Sequence, residues 1–162
     1  QKAGAELSFF SPLADQAPAA SDLVILPGGY PELHAGKLAN NQTFITGMQQ
    51  AKAVYGECGG YMTLGEGLID ADGKRHKMLG LLPLETSFAK RKLHLGYRNL
   101  APQGGLWKLP LNGHEFHYAT TIKANGPPLF HATDAENTEL PHMGLINGPY
   151  SGSFAHIIDR AN

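Results

Sequence analysis

A chain of 162 residues, 42% hydrophobic and 17% charged, has the balance of one globular domain and the length to bury about two-thirds of its unfolded surface. Its 13 basic and 14 acidic residues leave a formal net charge of −1, which gives no electrostatic reason to expect nucleic acid or an anionic membrane surface. No apolar run approaches the roughly 20 residues of a membrane span, and the single cysteine cannot form an internal disulfide, which suits a reducing cytoplasm.

The opening "QKAGAELSFF" has no initiator Met and reads as the end of a helix leading into a strand, so a larger polypeptide is expected to precede it. "AELSFF" (5–10) and "DLVILPGG" (22–29) are apolar, β-prone runs, and both are predicted strands. The second is almost continuously hydrophobic, as a strand covered on both faces of a parallel sheet should be. In "PELHAGKLANNQTFITGMQQAK" (31–52), Leu33, Leu38, Phe44, Ile45 and Met48 form one apolar helical stripe, which the central Asn pair divides into two pieces. "AVYG" (53–56) is a short strand, and "GYMTLGEGL" starts a helix that glycine soon ends. Strand and helix thus alternate through the first seventy residues, the mark of an α/β sheet.

The second half changes character. "DADGKRH" is a hairpin turn, and "MLGLLPLETSF", "KLHLGYRNL", "GHEFHYATTIKA" and "HMGLINGPYSGSF" read as strands, mostly antiparallel, extending one end of the sheet.

The only cysteine lies in "AVYGECGGYMTLGEG" (53–67), a strand, a tight glycine-flanked turn and a helix, which is the sequence of a nucleophile elbow. Gly56, Gly59 and Gly60 leave room for the backbone to pass, and the following helix is expected to lower the Cys58 thiol pKa. The Gly59 N–H is placed to donate to an oxyanion. As a packed core thiol, Cys58 would sit badly beside Glu57 and two glycines. "LPGGYPE" (26–32) ends the other strong strand, where Gly28 and Gly29 allow a further N–H to face a reacting carbonyl. For the base, pattern offers His117 in "NGHEFHYAT" and His156 in "SGSFAHIID" without choosing between them. In a strand, His114, Phe116 and Tyr118 face one side while Glu115 and His117 face the other. The eight histidines show no zinc-ligand spacing, so no metal is expected.

"FSPLAD", "LPGGYPELHAGKLANN", "ECGGYMTLGEGLIDADG", "MLGLLP", "LGYR", "GHEFHY" and "SGSFAH" occur together and in order. Through them the chain resembles, along nearly its whole length, the glutamine amidotransferase domain of the cobyrinate a,c-diamide synthase family. The resemblance implies a flavodoxin-like α/β fold of the class I glutamine amidotransferases, mostly parallel with an antiparallel extension and lacking an N-terminal strand. Residues 1–162 would then be the C-terminal amidotransferase domain of a larger synthase. It also implies that Cys58 attacks the glutamine side-chain amide and that His156 raises its nucleophilicity. The backbone N–H groups of Gly29 and Gly59 would hold the oxyanion, with Gly28, Glu115 and His117 in support.

The implied partners are glutamine, an ammonia-accepting synthetase domain carrying ATP and Mg²⁺, and a corrinoid acceptor bound through that domain. The acceptor is cobyrinate, hydrogenobyrinate or another tetrapyrrole; neither nucleic acid nor membrane is a partner, and a homodimer stays open. No G-x-x-x-x-G-K-[ST] loop occurs in this chain, so no cofactor is expected here. One departure matters: many class I amidotransferases carry His-x-Glu, whereas Ile158 stands two residues after His156. Either a Cys–His dyad suffices, or another carboxylate such as Glu115 orients the imidazole. Two other classes compete with this reading: a non-catalytic interaction module that kept the fold, and cysteine hydrolases of a similar fold. The hydrolases place a histidine directly after the nucleophile, where Gly59 stands here.

Overall fold

The computed structural model describes residues 4–161. Strand β1 (Val24–Leu26) leads through a 3-10 turn (Pro31–Leu33) into helices α1 (Ala35–Leu38) and α2 (Gln42–Gln49), and the Asn40–Asn41 pair breaks them apart as predicted. Strand β2 (Val54–Glu57) runs into α3 (Gly59–Leu64), which ends at Gly65. The chain continues as β3 (Gly67–Ile69), β4 (Arg75–Lys77), β5 (Leu84–Ser87), β6 (His94–Pro102), β7 (Leu111–His117) and β8 (Thr120–Ala124). It closes with β9 (Phe130–Thr133), β10 (Glu139–Met143), β11 (Leu145–Asn147), β12 (Tyr150–Ser153) and β13 (Ala155–Arg160).

Three sheets organise these strands. The first has the order β1-β2-β12-β11, with β2 parallel to both β1 and β12. A five-stranded antiparallel sheet, β10-β9-β6-β7-β13, stands at its carboxyl end, and β4-β3-β5-β8 forms the third. The α/β architecture is therefore the expected one, although the antiparallel extension exceeds the parallel core in size. No described helix is long and apolar enough to cross a membrane.

The core forms because the apolar stripes meet. Phe44 and Met48 of α2, one turn apart, are fully buried with Val54, Leu64, Leu68 and Leu84. Each such side chain contributes about 1.5–3 kcal/mol, which matters for an eight-residue helix too short to persist by propensity. Tyr55, Leu100, Leu111, Leu129 and Phe130 make a second cluster under the antiparallel sheet.

Three expectations are corrected. "AELSFF" is not a strand: residues 5–10 carry no regular structure, and Leu7 and Phe9 are exposed. A groove of about 590 Å³ separates them from β1, so the run has no ladder partner within hydrogen-bonding reach. Leu33 drops out of the helical stripe, being 67% exposed, because it lies in the 3-10 turn rather than in α1. "PYSGSF" does not join the antiparallel extension; Tyr150–Ser153 pairs in parallel with β2 and extends the first sheet.

Candidate active site

Strand β2 is paired on both sides, so its carboxyl end is among the best-fixed points of the fold. There the backbone turns sharply: Cys58 has φ 48° and ψ −106° and caps α3. An L-residue in this region stores about 1–3 kcal/mol of strain, and the surroundings hold it. The Cys58 N–H donates to the Ser153 carbonyl (2.9 Å), the Cys58 carbonyl accepts from Met62 N–H (3.0 Å), and Gly60 N–H donates to the Pro27 carbonyl (3.1 Å). The predicted elbow is present, and Cys58 is buried, at 8% exposure.

The glycines act through close approach. A Cβ on Gly59 would meet the Gly29 backbone at 2.6–2.9 Å, so the two predicted oxyanion peptides are in contact. Gly59 N–H faces the Cys58 sulfur, and the Gly29 N–H has no acceptor among the described residues. A Cβ on Gly28 would lie 2.9 Å from His156 Cε1 and 3.8 Å from Cys58 Cβ, which puts the predicted base and nucleophile against one glycine. Gly28→Ala should therefore displace the imidazole and lower glutaminase turnover by about 10²-fold with the circular dichroism of the native fold retained. An active Gly28→Ala protein would show that His156 does not need this position.

The two candidate bases are now distinct. His117 is buried and both ring nitrogens are engaged, Nδ1 with the Ala119 carbonyl (3.0 Å) and Nε2 with Glu115 (2.7 Å). Glu115 also accepts from Arg98 at 2.8–2.9 Å. Burial acts to raise the Glu115 pKa, yet the hydrogen bonds from His117 and Arg98 hold it below the usual carboxylate value. His117 is further clamped between the rings of Phe154 (3.7 Å) and His94 (4.6 Å). This network ties the antiparallel sheet to the turn after β12, and it leaves His117 no free lone pair. His156, on β13, stacks on His114 (4.9 Å) and shares its face of the sheet. Glu115 faces the opposite side and does not orient His156. The carboxylate beside His156 is Glu57, whose Oε2 lies 3.7 Å from Nδ1.

The donor atoms of His94, Glu115 and His117 lie within 4.8 Å of one another. The two imidazole planes are 5° from parallel and stacked, so both cannot aim an in-plane lone pair at one ion, and Arg98 already neutralises the carboxylate.

The thiol departs from expectation. Burial pushes Cys58 up to about 11; the Gly59 N–H opposes the shift, while Glu32, Glu57 and Glu115 add to it. Desolvation and three carboxylates outweigh a six-residue helix, so the resting group is a thiol that needs a base. Burial, and then the neighbouring His114 and His117, hold the His156 pKa below its ordinary value, so the imidazole is neutral and able to accept a proton at pH 7. Activity that depends on this base is lost as pH falls through the lowered His156 value. The glutaminase rate should accordingly stay level on acidification to about pH 6.5, the ordinary imidazole pKa, and decline only below it. A decline centred above 6.5 would contradict the depressed His156.

The profile of the CobB/CobQ-like glutamine amidotransferase domain matches residues 1–162. This chain belongs to that family. It is 58% identical to hydrogenobyrinate a,c-diamide synthase of Brucella abortus biovar 1 (strain 9-941), over 98% of this chain and 38% of the relative. The enzymes of that name from Sinorhizobium sp and Mesorhizobium japonicum are 54% and 51% identical, over 99% and 100% of this chain and 39% of each relative. The chain thus spans less than two-fifths of the length of these curated relatives. A solved structure described as "Crystal structure of glutamine amidotransferase" aligns with a TM-score of 0.52 and 15% identity, over 83% of this chain and 70% of its own. That likeness establishes the shared α/β fold.

Sequence reasoning missed two groups. Glu57 stood out only as an awkward neighbour for a core cysteine; a carboxylate closing a buried central strand is itself the signal, because it needs a partner. Arg98 stood only as the last residue of "LGYR" with no role attached, since only the register of β6 on β7 brings it to Glu115.

Proposed function

We propose that this chain is the glutamine-hydrolysing part of an ATP-dependent synthase that amidates the a and c carboxylates of hydrogenobyrinate or cobyrinate in cobalamin biosynthesis. The observation that carries it is the strained Cys58 elbow with His156 against Gly28. The names of relatives at 51–58% identity favour hydrogenobyrinate as the acceptor.

The chemistry follows from the groups present. As the sulfur of Cys58 bonds to the glutamine side-chain carbonyl carbon, His156 takes the thiol proton. The carbonyl oxygen becomes an oxyanion facing the N–H groups of Gly29 and Gly59. Collapse breaks the C–N bond, and the proton held by His156 leaves with the nitrogen as ammonia. Water then attacks the thioester, returning glutamate and the thiol.

Ammonia passes to a carboxylate activated by ATP with Mg²⁺ on the synthetase part of the polypeptide, in the cytoplasm. The face that carries His114 and His156 also exposes Leu95, Tyr97 and Phe116, large apolar groups beside the site. Covering them is a reason to expect the synthetase part on this side, because most of the length of the relatives lies outside the matched region.

The test is alkylation of the full-length polypeptide with 6-diazo-5-oxo-norleucine, read by intact mass and peptide mapping. One adduct on Cys58, blocked by excess glutamine, is expected. A folded protein that takes no adduct would overturn the reading.

A further inference from the structure

We propose that Glu57 positions the imidazole of His156 and carries the charge that balances it when it takes the Cys58 proton. The proposal rests on the reading of Cys58 and His156 as nucleophile and base.

Glu57 Oε2 lies 3.7 Å from His156 Nδ1 and accepts the Ile157 N–H at 3.3 Å. One carboxylate thus touches the base and the backbone of the strand that bears it, while its own peptide leads into the nucleophile. The tie spans 100 residues of sequence and joins the parallel sheet to the antiparallel one at the reacting centre. Both side chains are largely withdrawn from solvent, Glu57 at 21% and His156 at 28% exposure, so the pair is weakly screened.

No other carboxylate among the described residues comes within 4.0 Å of His156. Glu115 is committed to Arg98 and His117 on the opposite face. Asp159 is exposed and accepts from Arg160 N–H, and position 158 is Ile. A carboxylate at Nδ1 keeps the proton on that nitrogen and leaves Nε2 as the acceptor. The separation of 3.7 Å exceeds a hydrogen bond, as unliganded catalytic contacts often do before substrate tightens them. The remaining groups near the ring are the stacked His114 on β7, His117, and the Gly28 backbone, against which Cys58 also lies.

Glu57→Gln keeps an acceptor for Ile157 N–H and removes only the charge, so it separates positioning from a backbone anchor. In the full-length polypeptide, glutaminase kcat should fall about 10- to 100-fold with the KM for glutamine unchanged. The acid limb of the pH–rate profile should move to lower pH, because the lost negative charge no longer favours the imidazolium. Glu57→Asp should restore part of kcat. The His156 ring resonances, titrated by NMR, should show the same downward shift in Glu57→Gln, and this reads the base directly even if turnover is too slow to follow.

A Glu57→Gln protein with wild-type kcat and an unmoved acid limb overturns the proposal. So does loss of the native fold in Glu57→Gln with full activity in Glu57→Asp and an unmoved His156 titration, which marks a purely structural group. Alkylation of wild-type Cys58 by 6-diazo-5-oxo-norleucine distinguishes the two failures. Labelled wild type with an indifferent Glu57→Gln removes only the role of Glu57; unlabelled wild type removes the glutaminase reading and this proposal with it.

Discussion

Replacing Cys58 with Ala should lower glutaminase activity of the full-length polypeptide by about three orders of magnitude or more while ammonia-dependent amidation continues. The first effect follows because the thioester forms on the Cys58 sulfur presented by the elbow, and Ala has no sulfur to replace it. The second follows because ammonia supplied from solution bypasses the step that Cys58 performs. Loss of both activities together would place Cys58 in the folding of the whole enzyme rather than in glutamine hydrolysis. A comparison of Cys58→Ala with Cys58→Gly then tests the elbow itself. At an ordinary position Gly is less stable than Ala by about 0.5–1 kcal/mol. At φ 48° and ψ −106° the order should reverse, since only Gly relieves a strain of about 1–3 kcal/mol. The Gly variant should be about 1 kcal/mol more stable than the Ala variant, a rise of about 2–4 °C in Tm for a domain of this size. An Ala variant that melts higher than the Gly variant would mean that the turn is unstrained in solution.

The parts of the fold legible in sequence were those where local chemistry and tertiary packing agree. Gly59 and Gly60 after an apolar strand announced the elbow because no larger residue fits against Gly29 and Leu26. The Asn40–Asn41 break and the stop at Gly65 were equally local. "AELSFF" misled because its strand propensity is real, but a strand needs a neighbour and the groove beside β1 offers none. "PYSGSF" misled for the converse reason: nothing local distinguishes a parallel partner of β2 from another antiparallel hairpin. The thiol was misjudged because a helix start is visible in sequence, whereas burial and the approach of Glu32 and Glu115 are set by distant segments. Glu57 and His156 lie 99 residues apart, so their meeting was readable only from the pairing of β12 with β2, which sets Ser153 opposite Glu57 three residues before His156.

The same geometry sets two histidine variants apart. With the thiol held at about 11, only about 10⁻⁴ of it is ionised at pH 7 without a base. His156→Ala should therefore lose about 10³- to 10⁴-fold in glutaminase kcat, and its residual rate should climb about tenfold per pH unit through the alkaline range as hydroxide replaces the imidazole. Added imidazole should restore part of the rate, and the melting temperature should change little, since His156 makes only one stacking contact and one long ion pair. His117→Ala should behave oppositely. Its ring is buried, bonded at both nitrogens and packed on Phe154, so removal strands the Ala119 carbonyl and half of the Glu115 carboxylate. The expected cost is about 1–3 kcal/mol of stability, with a smaller loss of kcat and no tenfold dependence on pH. Steady-state rates from pH 6 to 10 and urea denaturation of both variants decide the matter. If His117→Ala keeps its fold and shows the steep alkaline rise while His156→Ala does not, the proton goes to His117, and the ring against Gly28 serves another purpose.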